Sequence, residues 1–126
     1  MGGKFIRVLF YPLLELLKAL SHIDINYKSD IGPGMLILHP VMGVVIGGNI
    51  TIGSNLTLVG GNIIGRRNDS LPESLFSIGN NIVVGGNATI IGPITIGNNI
   101  VIGALACVVK SVSSEKTLIG IPACEK

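Results

Sequence analysis

Residues 78–108 read IGNNIVVGGNATIIGPITIGNNIVIGALACV, and an aliphatic side chain returns at every sixth position: Ile78, Val84, Ile90, Ile96, Ile102 and Val108. The same spacing links Ile46, Ile52 and Leu58, and further back Ile25, Ile31 and Ile37. Residues four positions beyond these are mostly apolar too, among them Ile50, Leu56, Ile82, Ala88, Ile94, Ile100 and Ala106. Sites four and six residues along differ by two, so both point the same way from an extended chain. Each hexapeptide is therefore a short strand with one inward face, followed by a turn.

The turns carry the residues that such corners need. Glycine follows the aliphatic position at Gly32, Gly47, Gly53, Gly79, Gly85, Gly97 and Gly103. Asparagine comes three residues after it at Asn49, Asn55, Asn81, Asn87 and Asn99. Both residue types tolerate left-handed backbone conformations. Twelve aliphatic positions group into four triplets, 25/31/37, 46/52/58, 78/84/90 and 96/102/108. The third member of each is followed by Leu38, Val59, Ile91 or Val109 rather than glycine. The reading is an all-β, three-sided solenoid of about four coils, which buries a core only by stacking.

Composition agrees with a narrow, regular interior. Of the 126 residues, 48% are hydrophobic but only 4% aromatic, with no tryptophan. Charged residues make up 13%, about half the usual share. So little charge points to buried subunit surfaces. The net charge of +2 comes without a basic run or an aromatic ladder, which argues against nucleic acid. Cys107 and Cys124 form no CxxC or metal-ligand spacing and fit a reducing, cytoplasmic compartment.

Residues 1–22 are expected to form a helical cap, and residues 23–126 the solenoid. Within the cap, Leu13, Leu14, Leu17 and Leu20 have helical spacing over residues 8–20, with Pro12 placed in the first turn. Glu15 and Lys18 interrupt the apolar run, which is too short and too charged to span a bilayer. The tail from Ser113 onward loses the period and is expected to cap the other end.

The spacing fails twice, between Ile37 and Ile46 and between Leu58 and Ile78. Both breaks follow the third member of a triplet, so both are expected to leave the solenoid at one corner, the second as a protruding loop over residues 60–77. His39 lies in the first break, and Asp24 directly precedes Ile25. On this placement a carboxylate and an imidazole stack within reach of each other, the arrangement of a general base and its orienting acid. The loop brings Arg66, Arg67, Asp69 and Glu73. Taken singly, a histidine or an aspartate in a turn is ordinary surface chemistry; their coincidence at one corner is what singles them out. Arg66 and Arg67 read equally as a solvated loop tip or an anion site, and His22 as decoration of the helix end.

The repeat resembles the hexapeptide-repeat acyltransferases, whose coils are left-handed and which assemble as trimers. The likeness runs from residue 23 to residue 123 and is nearest to the serine acetyltransferases and the short enzymes that O-acetylate surface sugars. It rests on I23-D-I25 and I31-G-P-G-M-L-I-L-H39, with Asp24 fifteen residues before His39. It rests also on V108-V-K-S-V112 and on G120-I-P-A123. The resemblance implies acetyl-CoA as co-substrate, no metal, His39 as general base and Asp24 as its orienting carboxylate. It places Gly86 and Ala104 where backbone groups meet the pantetheine arm, and Lys110, Gly120 and Pro122 in motifs bordering coenzyme A. It also implies partners: coenzyme A, a small hydroxyl acceptor and two further copies in a homotrimer.

The sequence departs from that pattern around the acceptor. Serine acetyltransferases place an acid directly before the catalytic histidine, where this chain has Leu38. Their following loop carries an Arg-His pair, where this chain has Arg66-Arg67. A free amino acid needs a partner for its ammonium group, so the reading leans to a saccharide or nucleotide-sugar hydroxyl, with serine as the alternative. Asp69 or Glu73 would be the replacement acid if serine were the acceptor. Other classes fit less well. A zinc carbonic anhydrase on this solenoid needs three histidines, and the chain has His22 and His39. An ice-binding face needs a threonine ladder, and Thr51, Thr57, Thr89 and Thr95 are expected on three different sides. A non-catalytic assembly subunit remains the alternative of another kind.

Overall fold

Strands of two or three residues hold no sheet alone; each must find its hydrogen bonds one coil above and one coil below. The computed structural model describes residues 2–68, 70, 72 and 75–126. After helix α1 (Gly2–Ser21) the chain winds into coils. The first holds β1 (Ile23–Ile25), β2 (Asp30–Ile31) and β3 (Leu36–Ile37), and the second β4 (Val44–Ile46), β5 (Thr51–Ile52) and β6 (Leu56–Leu58). The third holds β7 (Asn62–Arg66), β8 (Ser77–Ile78) and β9 (Ile82–Val84), and the fourth β10 (Thr89–Gly92), β11 (Thr95–Ile96) and β12 (Ile100–Ile102). A partial fifth coil has β13 (Cys107–Val108) and β14 (Thr117–Ile119), and β15 (Cys124–Glu125) turns back along it.

Three faces result. The first stacks β1, β4, β7, β10 and β13, the second β2, β5, β8 and β11, and the third β3, β6, β9, β12, β14 and β15. Every pairing is parallel except that of β14 with β15. Ile46, Ile64, Ile90 and Val108 point inward from the first face, Ile52, Ile78 and Ile96 from the second, and Leu58, Val84, Ile102 and Leu118 from the third. None of these is more than 3% exposed. Thr51 and Thr95 lie on the second face, Thr57 on the third and Thr89 on the first, so threonine makes no ladder across the solenoid.

The five asparagines marked by the spacing all adopt positive φ, between 55° and 60°. Three of them stack at the corner between the second and third faces. There Asn55 Nδ2 donates to Asn81 Oδ1 at 3.0 Å, Asn81 Nδ2 donates to Asn99 Oδ1 at 3.0 Å, and Asn99 Nδ2 donates to Glu115 Oε1. The left-handed turn and the side-chain ladder both favour asparagine at these sites.

The phase of the repeat differs from the expected one. Ile64 continues the six-residue series from Leu58, and β7 occupies much of the segment expected to protrude as a loop over residues 60–77. The insertion comes after Ile64, so it leaves between the first and second faces, not at the corner of His39. Consequently Ile90 opens the fourth coil, and residues 78/84/90 do not share a coil. Ile64, between Ile63 and Gly65, is masked in the sequence by the larger gap that follows it.

The helix also departs from expectation. It starts at Gly2, and Pro12 lies inside it, not in its first turn. Ile6, Leu9, Leu13, Leu16 and Leu20 keep helical spacing on both sides of the proline, which forgoes a single hydrogen bond. Each large apolar side chain described from Ile6 to Leu20 is at least 47% exposed. Ile25, Ile31 and Ile37 of the first coil are only half-buried. The helix therefore does not cover that end within one chain. At the other end β14 carries the third face one coil further, with Leu118 buried, before β15 folds back.

Corner glycines give a direct test of the stacking. A Cβ on Gly79 would lie 2.5 Å from the Gly97 carbonyl oxygen, whereas one on Gly65 would meet nothing within 4 Å. We expect Gly79→Ala to cost about 1–3 kcal/mol. Gly65→Ala should stay within about 0.5 kcal/mol of the parent. Urea unfolding of the two variants side by side measures the difference.

Candidate active site

His39 is placed by its neighbours in sequence. Pro40 disfavours helical backbone at the residue before it, and His39 has φ −127° and ψ 75°. Pro40–Met42 then form a 3-10 turn that absorbs the additional residues between Ile37 and Ile46. The His39 N–H donates to the Val59 carbonyl at 2.9 Å, and its own carbonyl accepts from the Met42 N–H at 3.1 Å. With both backbone groups engaged, the exposed imidazole stands on a fixed turn at the corner between the third and first faces.

Beneath it the turns of successive coils form a column. The Gly61 N–H donates to the Gly43 carbonyl at 2.7 Å, that of Asn87 to Gly60 at 2.9 Å, that of Leu105 to Gly86 at 2.9 Å, and that of Cys107 to Gly120 at 3.0 Å. His39, Gly60–Gly61, Gly86, Ala104 and Gly120–Pro122 thus follow one another down a single edge of the prism. At ~4.8 Å per coil, Gly86 lies roughly 10 Å, Ala104 roughly 14 Å and Gly120 roughly 19 Å from the level of His39. The N–H groups of Gly86 and Ala104 bond to no carbonyl among the described residues, and neither residue has a side chain beyond Cβ. A long, thin ligand with amide groups fits such an edge.

Most of the other expected site residues lie on the first face or across it. Asp24 is the outward-facing middle residue of β1, beside Val45 of β4. Among the described residues its carboxylate makes no hydrogen bond to His39. Arg66, Arg67 and Lys110 sit at the corner between the first and second faces, across the first face from His39. Arg66 is half-buried there, its guanidinium donating to the Asn49 carbonyl at 2.7 Å and to the Pro72 carbonyl at 3.1 Å. With Asn26, Lys28, Gly47 and Gly48 it lines an open polar recess. Leu38 does adjoin His39, with its side chain 48% exposed. Asp69 and Glu73 lie outside the described residues.

One residue of the column escaped the sequence reading. Asn62 occupies the inward site four residues after Leu58, where other coils have aliphatic side chains, and is 1% exposed. Its Oδ1 accepts from the Gly60 N–H at 3.0 Å, while its Nδ2 donates to the Gly85 carbonyl at 2.8 Å and the Ala88 carbonyl at 3.1 Å. The signal was available as a polar residue at an otherwise apolar phase, but reading it required Ile64 to be in phase first.

This architecture matches solved structures closely. The serine acetyltransferase of Neisseria gonorrhoeae superposes with a TM-score of 0.81 at 27% identity, over 99% of this chain and 47% of that one. The same enzyme in complex with serine gives 0.78 at 27% identity, over 96% of this chain and 49% of that one. The soybean serine acetyltransferase apoenzyme gives 0.81 at 30% identity, over 95% and 49%. The chain has the hexapeptide-repeat transferase fold.

Its coils form the left-handed parallel β-helix of that fold. A further hexapeptide-repeat structure, the serine acetyltransferase of Brucella abortus with coenzyme A, shares the fold at 24% identity and a TM-score of 0.80, covering 94% of this chain and 47% of that one. The chain spans about half the length of these structures. No family model matches it, and no curated protein does.

The fit under His39 is tight enough to probe. Gly60 has φ +143°, and a Cβ on it would lie 2.7 Å from the His39 carbonyl oxygen and 3.1 Å from Met42 Cβ. We expect Gly60→Ala to displace the His39 turn and lower stability by about 1–3 kcal/mol. The imidazole resonances of His39 should move in NMR spectra while those of His22 stay in place.

Proposed function

We propose that this chain is an acetyl-CoA-dependent O-acetyltransferase in which His39 is the general base. The observation that carries the reading is the shared edge: the one histidine on a fixed turn heads the column that continues through Gly86, Ala104 and Gly120. The fold and the serine acetyltransferases that share it support the same chemistry.

On this reading the imidazole removes the proton of the acceptor hydroxyl as its oxygen attacks the thioester carbon. The new C–O bond forms, and the tetrahedral oxyanion is stabilised by backbone N–H groups of the edge. Collapse breaks the C–S bond, and the thiolate of coenzyme A takes the proton back from the imidazolium. No acyl-enzyme is required. Asp24 serves as the orienting carboxylate by closing onto the imidazole in the assembled, substrate-bound protein, since catalytic hydrogen bonds often tighten only then.

The outer surfaces support the proposed assembly. Leu36, Val83 and Val101 on the third face and Val45 and Ile63 on the first are 39–52% exposed in one chain. The second face instead turns Asp30, Thr51, Ser77 and Thr95 outward. The two apolar faces meet at the His39 edge, so a homotrimer that buries them puts that edge in a seam between subunits. Such a seam supplies the depth that a flat-sided prism lacks, and it lets a neighbouring copy present its Arg66 corner.

For the acceptor, the neighbours favour the hydroxyl of serine, and one of them was solved with serine bound. The specific observation on the other side is Leu38, an exposed apolar side chain beside His39 where an ammonium group would want an acid. It favours a saccharide hydroxyl as the second reading.

Light scattering should return the mass of three chains, and Val101→Arg should shift it to a smaller species; a wild-type monomer would remove the seam. A thiol-release assay with acetyl-CoA against L-serine, other amino acids and a sugar panel decides the acceptor. We expect turnover of L-serine, with His39→Ala lowering kcat about 10²–10⁴-fold while the assembly persists. Efficient turnover of a sugar alone would select the second reading, and undiminished activity of His39→Ala would refute the site.

A further inference from the structure

The fully buried inward side chains of the described coils are aliphatic or aromatic with one exception: Asn62 is the only buried polar side chain among the described residues. An amide in an apolar core is costly unless its groups are matched. Here both its atoms are used, and all its bonds go to the turns of the His39 edge. Oδ1 accepts from Gly60, whose carbonyl in turn accepts from Asn87 at 2.9 Å. Nδ2 donates to the carbonyls of Gly85 and Ala88, which bracket Gly86. Gly60 lies against the His39 carbonyl so closely that no Cβ fits between them.

From this geometry we infer that Asn62 is a positioning residue. It ties the turn that supports His39 to the turn that contains Gly86, and so sets the separation between the general base and the acyl group. A valine or isoleucine there would satisfy the repeat and the core equally well. The amide instead satisfies three backbone groups, the Gly60 N–H and two carbonyls, inside the prism. The inference rests on the acetyltransferase reading for its catalytic consequence, but the structural tie stands apart from it.

Asn62→Val, which keeps an aliphatic core, and Asn62→Ala, which leaves space, are to be made in the full chain. Both are compared with the parent in steady-state kinetics with acetyl-CoA, at a temperature well below unfolding. We expect kcat to fall on the order of tenfold to a hundredfold, as for a small misplacement of reacting groups, with the KM for acetyl-CoA changed less than about threefold. A kcat within twofold of the parent in a folded variant would overturn the inference.

Amide hydrogen exchange keeps the test independent of activity. In the wild-type protein the Gly60 N–H should exchange as slowly as the core strands, and in either folded variant at least about tenfold faster. Fast exchange of Gly60 in the wild-type protein would overturn the tie even if no variant folds. Protected Gly60 in a wild-type protein that releases no thiol with any acceptor would instead uphold the tie and sink the functional reading.

Discussion

Each coil of this protein satisfies its backbone groups with the coils above and below it. The strands are two to five residues long, so none is stable alone, and the ladder of parallel pairs along the axis is what makes them strands at all. That ladder fixes the register, and the register fixes everything else. Side chains at one phase enter a column of aliphatic contacts, and corners must turn within a few residues. The corners are where glycine and asparagine are favoured, because a Cβ at Gly79 would meet the carbonyl of the next coil and the five spaced asparagines all carry positive φ, a conformation that Leu105 and Glu115 adopt at equivalent turns.

The same constraint makes the proposed site an edge, not a cavity. The three faces enclose a packed apolar core, so the proposed chemistry uses a line along which two of them meet. His39 stands on such a line because Pro40 and a 3-10 turn take up the extra chain there. Gly86, Ala104 and Gly120 share it because eighteen-residue or near-eighteen-residue steps return the chain to the same edge. The two faces that meet there both carry exposed aliphatic side chains, which is the feature that links the proposed chemistry to the proposed assembly.

Much of this was legible in the residues. The period of six gave the three-sided solenoid, and the positions of Asn49, Asn55, Asn81, Asn87 and Asn99 foretold the left-handed turns. His39, Gly86, Ala104 and Gly120 could be marked from motifs, and the fold brings them to one edge. What failed was phase. Ile64 lies six residues after Leu58, yet the long gap to Ile78 drew the break to the wrong side of it. That single residue moved the insertion to another corner and took Arg66 and Arg67 away from His39 within the chain. Asn62 was hidden by the same error, since a polar residue inside a loop attracts no notice while one at an inward phase does. The helix itself was legible, but its apolar residues run all round it, so their spacing did not tell which of them would pack; in one chain all of those described are exposed.

The ladder of parallel coils also constrains how such a protein can change length. A whole coil added or removed slides all later residues by one step along the axis and leaves them on their faces. A single hexapeptide would rotate everything beyond it by a third of a turn, carrying Gly86, Ala104 and Gly120 off the edge headed by His39. Residues inserted at a corner do neither, and the segment between Ile64 and Ile78 is such an addition. The distance from the histidine to any later turn is therefore quantised in steps of about 4.8 Å. In that sense the chain is a ruler, and its lineage can lengthen it freely only in whole divisions or at its corners.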